Sequence, residues 1–454
     1  MKLPAIRKIR RSCPARRRER GVTMVLVVLA MVGIIAMAAL SIDVVTLFLA
    51  REEAQRAADA GALAAARVIS VSGLTGTAGP DSGVAPWTTI CGGAASVASV
   101  MAQAVAQQNS VGSSAATVTV SYSSGSGATF TDCTAVPGDD LLGVNPLVTV
   151  KVERDTMPTL FSRIWSRGAK SVSATATAEA FNPSNSGKFA GGGQVVPVTP
   201  RCVKPWIIPN QDPGNGGLLV DNRRTGAIKN EGIWSGKGTG TVGEGFLLTN
   251  NCGTGTDCSP ANWATKPIAA GYYIPALVNP PASAVPSCAD DSNYQKAIGG
   301  CDQSTVYACG TVNGSNADLT INPGLAGGDT SVATQCLIHQ SGGAGGQDAQ
   351  NVGAPFPYPI TAGSANPVVS ANQLITASNS IVTLPIYDDS VGTLAGTQPA
   401  ITIVGFLQVF IDSVDAAGNL QVHVVNISGC GNDASTTLSA PGSSPVPIRL
   451  ITPQ

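Results

Sequence analysis

The chain has 454 residues with 27 Lys+Arg against 28 Asp+Glu, so it is nearly neutral as a whole. Nine of the basic residues precede Gly21, and the remainder carries a net charge of about −9, which removes any electrostatic reason to bind nucleic acid. Only 12% of residues are charged, while 52 Gly and 30 Pro favour strands, turns and irregular loops over long helices beyond residue 180.

Residues 1–20 read as a basic cytoplasmic segment. Lys2, Arg7, Lys8, Arg10, Arg11, Arg16, Arg17, Arg18 and Arg20 face a single acid, Glu19. Such a cluster beside a hydrophobic span stays cytoplasmic. From Gly21 to Ala50 the sequence has one charge, Asp43. About 20 apolar residues cross a bilayer core, so residues 22–42 suffice, with Val22, Leu26, Leu29, Ile34, Leu40 and Ile42 marking the anchor. Asp43 then falls near the outer interface, where a carboxylate costs far less than at mid-membrane. Ala36-Met37-Ala38 resembles a signal-peptidase site, so a cleaved signal is the alternative to an uncleaved anchor. The apolar stretch runs on to Leu49, beyond an h-region of about 7–15 residues. Arg17-Arg18 also fits a twin-arginine signal, although a basic anchor flank accounts for it.

The helical pattern continues to about residue 70. Glu52 and Arg56 form an i,i+4 pair in the favourable order. Ala50, Ala54, Ala57, Gly61, Ala64 and Ala65 make a small-residue stripe at helical spacing. Small residues permit close backbone approach, and the stripe packs either on the chain's own domain or on a partner helix. Asp43, Ala54, Ala57, Gly61 and Ala65 are the interface candidates. A single helix of this length would reach about 74 Å at 1.5 Å per residue.

Residues 71–93 read as a Gly/Ser/Thr-rich loop, 94–108 as a helix, and 116–122 as an alternating strand with Val118 and Val120 on one face. Residues 147–152 give a second strand. Pro158 suits the first turn of a short helix to Trp165. In 170–180, Val172, Ala174, Ala176 and Ala178 share one face. This order predicts a small α+β domain over 71–181, followed by a linker over 182–200. Residues 201–454 read as a mostly-β, loop-rich, cysteine-containing exported domain. Its clearest element is a hairpin, 400–414 and 419–425, around Asp415-Ala-Ala-Gly-Asn419. Residues 324–353 are Gly-rich and read as a mobile loop. The predicted fold class is therefore α+β, with one N-terminal transmembrane helix extended into an α+β domain.

Cys13 lies in the basic segment. The other ten cysteines are Cys91, Cys133, Cys202, Cys252, Cys258, Cys288, Cys301, Cys309, Cys336 and Cys430. An even number in an exported region fits disulfides, and the sequence leaves their connectivity open. Zinc is the alternative reading, but no CxxC is present and the only histidines are His339 and His423.

Catalytic motifs are missing from the sequence. GxSxG, HExxH and GxxxxGK[ST] do not occur. Asp433-Ala-Ser435 has only a faint adhesive-domain metal pattern. Asn210, Asp212, Asp290 and Asp291 read as backbone caps before calcium ligands, and His423 reads as a structural strand residue. No catalytic, metal or cofactor-binding residue is assigned, and no small-molecule substrate is expected.

Glu19-Arg20-Gly21, the apolar span ending in Ser41-Ile-Asp43, Leu49-Ala-Arg51 and the run from Gln55 to Ala66 resemble the TadG-like N-terminal segment of tight-adherence (Flp) pilus-assembly proteins. Gly61 stands where that family more often has Ala. Pro158 to Trp165, Val172 to Glu179, Leu384-Pro-Ile-Tyr-Asp388 and Ile403-Val-Gly-Phe406 carry further resemblance. The resemblance implies a non-enzymatic protein of the bacterial inner membrane, single-pass, with its bulk outside the cytoplasm. The implied partners are the membrane and other pilus-assembly or secretion-machine proteins. A processed pilin-like subunit is a second class, but the fifth residue after Gly21 is Leu26 where prepilins carry Glu. A secreted disulfide-rich adhesin or hydrolase is a third.

Overall fold

The computed structural model describes residues 20–73, 84–123, 129–135, 146–157, 170–181, 198–221, 228–229, 240–250, 268–277, 288, 292–301, 320–321, 327–340, 345–352, 358–391, 401–429, 440–442 and 446–451. The first element is a helix of 51 residues, α1 (Arg20–Ser70). It contains no proline and is dominated by Ala, Leu, Val and Met, so nothing in its interior breaks the hydrogen-bond ladder.

The first folded module is a two-layer α+β unit. Strands β1 (Thr117–Ser123), β2 (Leu147–Met157), β3 (Lys170–Ala180) and β16 (Ile448–Ile451) form an antiparallel sheet in that order. Val120 pairs with Val150, and Val150 with Ala176, so one face of the sheet is apolar. The second half of α1 and helix α3 (Val97–Gln108) cover that face. Val172, Ala174, Ala176 and Ala178 all join this core, as their alternation predicts. The opposite face carries Thr119, Lys151, Ser173 and Thr175.

Two sequence readings are corrected in this region. The loop expected over 71–93 contains helix α2 (Val84–Cys91). Pro86 is tolerated in its first turn, and Trp87, Ile90 and Cys91 are buried in the same core. The last strand of the sheet also comes from the far end of the chain, inside the range read as the exported domain. Arg449 Nε donates to Glu179 Oε2 at 2.6 Å, and its guanidinium lies 4.4 Å from the Phe181 ring centre. The short helix expected at 158–165 lies outside the described residues.

The second module is a closed barrel. Strands β5 (Trp206–Pro209), β12 (Ile381–Tyr387), β13 (Ile403–Val414), β14 (Leu420–Gly429), β6 (Gly245–Asn250) and β7 (Tyr272–Leu277) pair in that order, and β7 pairs back to β5. Two joins, β5–β12 and β6–β7, are parallel. The β13–β14 hairpin is the one expected from the sequence, and it turns through Asp415 to Asn419 with Gly418 at φ 81°. Closure leaves no long free edge; β8 (Thr320–Ile321) adds to β7, and β9 (Ala349–Gln350), β10 (Ile360–Thr361) and β11 (Leu374–Ile375) form a separate small antiparallel sheet. Trp206 and Ile208 fall in one apolar cluster and Ile207 in another, so both faces of the barrel wall are packed.

Helices α4 (Asn293–Gly299) and α5 (Gly327–Leu337) pack beside the barrel. A capping box, with Ser292 and Gln295 bonding reciprocally, starts α4. The Gly-rich stretch read as mobile thus includes a helix. A tertiary contact holds one of its buried hydroxyls, Thr330, which meets the Tyr294 hydroxyl at 2.8 Å. That hydroxyl in turn accepts from Trp206 Nε1 at 3.0 Å. Part of the expected linker is also ordered into structure, since β4 (Val198–Pro200) pairs in parallel with β15 (Ala440–Gly442).

Among the described residues three disulfides tie the fold: Cys91–Cys133, Cys202–Cys301 and Cys288–Cys336, with Cα separations of 5.4, 4.3 and 5.7 Å. Cys13, Cys252, Cys258, Cys309 and Cys430 lie outside the described residues.

Candidate functional site

Helix α1 is the candidate site, and its two halves do different work. In the first half Val22, Leu26, Leu29, Ile34, Leu40 and Ile42 are all exposed, between 49% and 67%. The apolar side chains point outward around the helix, and no other described element covers them. A continuous apolar cylinder of this kind is unfavourable in water and matches a bilayer core in length. It is the one candidate membrane span among the described residues.

Protein covers one face of the helix from Ala39 onward. Ala39, Asp43 and Ala50 are buried, and Asp43 is 4% exposed. Ala54, Ala57, Gly61 and Ala65 are then fully enclosed by the first module. A Cβ on Gly61 would meet the Ala102 carbonyl oxygen at 3.0 Å, Ala106 Cβ at 3.1 Å and Val150 Cγ1 at 3.3 Å. The stripe therefore packs on this chain's own α3 and sheet, which is one of the two arrangements its spacing allows. Ala64, counted in the stripe, lies at its half-buried margin.

Polar contacts lock this packing in place. Glu53 Oε2 accepts the Gly112 backbone N–H at 2.6 Å. Arg154 Nη1 donates to the carbonyls of Val111 and Gly112, holding the turn after α3 against β2. The Glu52–Arg56 pair is exposed at 4.0 Å and adds little. At the other end of α1, Ser70 Oγ donates to the Val446 carbonyl at 2.6 Å, and Asn426 Nδ2 donates to the Ser70 carbonyl at 2.7 Å. The helix is thus pinned to the barrel strand β14 as well as to its own sheet.

The polar residues weighed from the sequence have structural roles. Asn210 exchanges both of its amide bonds with the backbone of Val220. Asp212 caps the following turn through Gly214 N and Asn215 Nδ2. His423 Nδ1 sits 2.5 Å from Asp412 Oδ2 across the hairpin. Asp290, Asp291 and Asp433 lie outside the described residues. Among the described residues, no three His, Cys, Asp or Glu side chains converge on one point.

Sequence reading missed several buried ionisable groups, including two that are strongly shifted. Lys204 is 4% exposed, and its Nζ donates to the carbonyls of Ile298 and Gly300 at 2.5 and 2.7 Å. Burial pushes its amine down to about 7. Glu244 is enclosed beside Asp212, and burial first, then hydrogen bonding with Asp212 and its charge, push the Glu244 carboxyl up to about 8. Each stands alone among apolar or glycine neighbours, Val203 and Pro205 for Lys204 and Gly243 and Gly245 for Glu244, so neither announces itself by periodicity.

The Glu244 shift has a definite sign. Its unfolded value is near 4.5 and its folded value about 8. The folded chain therefore holds a proton that the unfolded chain releases in this window, and the contribution is lost as pH rises from the lower value to the higher. Lys204 acts in the opposite sense, from its folded value near 7 up to its unfolded 10.5. Glu244→Gln should remove the decline contributed by Glu244, so the variant should gain stability relative to the natural chain as pH rises toward 8. Thermal midpoints of both proteins across that range check this, and parallel curves would reject it.

A single exposed apolar helix, continuous with a core helix of an α+β module, defines the class: a protein built around a candidate membrane anchor. Residues 21–68, all within α1, match the Tad family model, described as TadE/G-like Flp pilus assembly. No curated protein and no solved structure matches the chain.

Proposed function

We propose that this chain is a non-catalytic, membrane-anchored component of a tight-adherence (Flp-type) pilus assembly or secretion system. The observation that carries the reading is the coincidence of the Tad match with the exposed apolar half of α1 and its packed continuation. The Tad family is in general non-enzymatic. The basic residues before Gly21 favour a cytoplasmic N-terminus, which puts both modules outside the bacterial inner membrane. The disulfides Cys91–Cys133, Cys202–Cys301 and Cys288–Cys336 support an oxidising compartment. With the small-residue stripe used internally, partners meet the exterior of the two modules or the lipid-embedded half of the helix.

Deleting the gene should reduce surface pili and adherence while leaving pilin synthesis intact, and the full-length chain should restore both. Recovery of other machine components with the detergent-solubilised protein would accompany this. Normal piliation in the deletion strain would reject the proposal.

A further inference from the structure

A cleft of about 710 Å³ lies where the end of α1 meets the barrel. Its volume is in the range of ligand sites. Three polar groups give it an unbalanced chemistry. Arg67, in the last turn of α1, lines the cleft, and its guanidinium makes no hydrogen bond or ion pair with any described residue. Burial lowers its pKa. The Thr383 side chain is 1% exposed, and its hydroxyl also lacks a hydrogen-bond partner. Lys204 spends two donors on backbone carbonyls and keeps a third.

The C-terminal dipole of α1 favours a cation at Arg67, but among the described residues nothing accepts from its five N–H donors. The one carboxylate of the lining, Asp348, is already engaged: it accepts from Gly363 N, Asn366 Nδ2 and Ser378 Oγ. Apolar walls come from Met101, Leu374 and Val382. The Cys202–Cys301 disulfide forms part of the rim.

We propose that this cleft binds a monoanionic carboxylate carrying an apolar group, with the Arg67 guanidinium as its principal partner and the Thr383 hydroxyl as a second donor. A planar carboxylate matches the guanidinium fork in two parallel bonds. One unpaired guanidinium neutralises one charge, and Asp348 in the same lining disfavours a dianion such as phosphate. The carboxylate belongs either to a free organic acid or to an acidic side chain of a peptide. A filled site would brace the joint between the two modules, because Arg67 belongs to α1 and Thr383 to the barrel.

The test uses the full chain in detergent, titrated with hexanoate, with a capped Leu-Glu-Leu tripeptide amide and with inorganic phosphate. Hexanoate, the peptide or both should bind and raise the thermal midpoint. Tighter binding of the peptide assigns the carboxylate to a protein, and binding of hexanoate alone assigns it to a free acid. Arg67→Gln should weaken binding about tenfold or more, the scale of a lost charge-assisted pair, without lowering the midpoint of the unliganded protein. Thr383→Val should weaken it less. If Arg67→Gln does not fold, Arg67→Lys, which keeps the charge and loses the fork, decides by the same measure. Binding of neither carboxylate, tighter binding of phosphate, or unchanged affinity in the Arg67 variant that folds would overturn the assignment.

Discussion

Gly61→Leu should prevent accumulation of the folded protein. Even a methyl group at this position would lie 3.0 Å from the Ala102 carbonyl oxygen, a backbone atom that can yield only if α3 moves. Leucine adds three more carbons into a space closed by Ala106 and Val150. Overpacking of this kind costs about 1–3 kcal/mol when side chains can adjust, and here a helix must move instead. Ala57→Leu should act in the same direction, since Ala57 is fully enclosed on the same face. Gly61→Ala should be far milder, because the gain in helix propensity of about 1 kcal/mol offsets the tight contact. Glu52→Gln should change nothing measurable. Protein level and thermal unfolding in detergent check the series, and equal behaviour of Gly61→Leu and Glu52→Gln would show that the helix face is not packed as described.

The second large effect is expected from removing the Cys202–Cys301 bridge. The bridge spans 99 residues, against 42 for Cys91–Cys133 and 48 for Cys288–Cys336. In the chain-entropy account, closing a loop of about 100 residues contributes roughly 4.7 kcal/mol. The double substitution Cys202→Ser, Cys301→Ser should therefore lower stability most among the three pairs, by several degrees or more in thermal midpoint. Cys202 also holds a left-handed backbone, φ 60°, so serine inherits that strain without the cross-link. Lys204 supplies a second tether to the same region through Ile298 and Gly300, so the variant should remain folded at low temperature. A midpoint equal to that of the natural chain would show that the bridge contributes nothing.

The long apolar helix and most of the first module, apart from α2 and β16, were legible for one reason: their apolar residues obey a single period. The uninterrupted run after Gly21, the Ala stripe and the alternation of Val172 through Ala178 each satisfy one template. The barrel was not legible because its closing strands are short and buried on both faces. Trp206-Ile-Ile-Pro209 has no alternation to read, and its parallel partner lies beyond residue 380. Helix α5 reads as a loop because Gly327, Gly328, Thr330, Ser331 and Thr334 are poor helix formers. Its helix depends on partners such as Tyr294, which local sequence does not reveal. In the candidate site, the stripe was recognised as a packing face, whereas Arg67 and Lys204 gave no signal, since a lone basic residue acquires meaning only from the cleft around it.

The return of β16 to the first sheet has a temporal consequence. Ile448 pairs with Ala180 across a separation of about 270 residues. At roughly 5–20 residues per second, a ribosome needs on the order of 10–50 s to make the intervening chain. During that time the 177–180 edge of β3 lacks its final neighbour and Glu179 lacks Arg449. The barrel, whose strands all lie between these two points, can close first, and the first module to be synthesised is the last to be finished. An exposed strand edge that waits this long is a place for mispairing, so whatever attends the chain as it emerges has most to protect near its beginning.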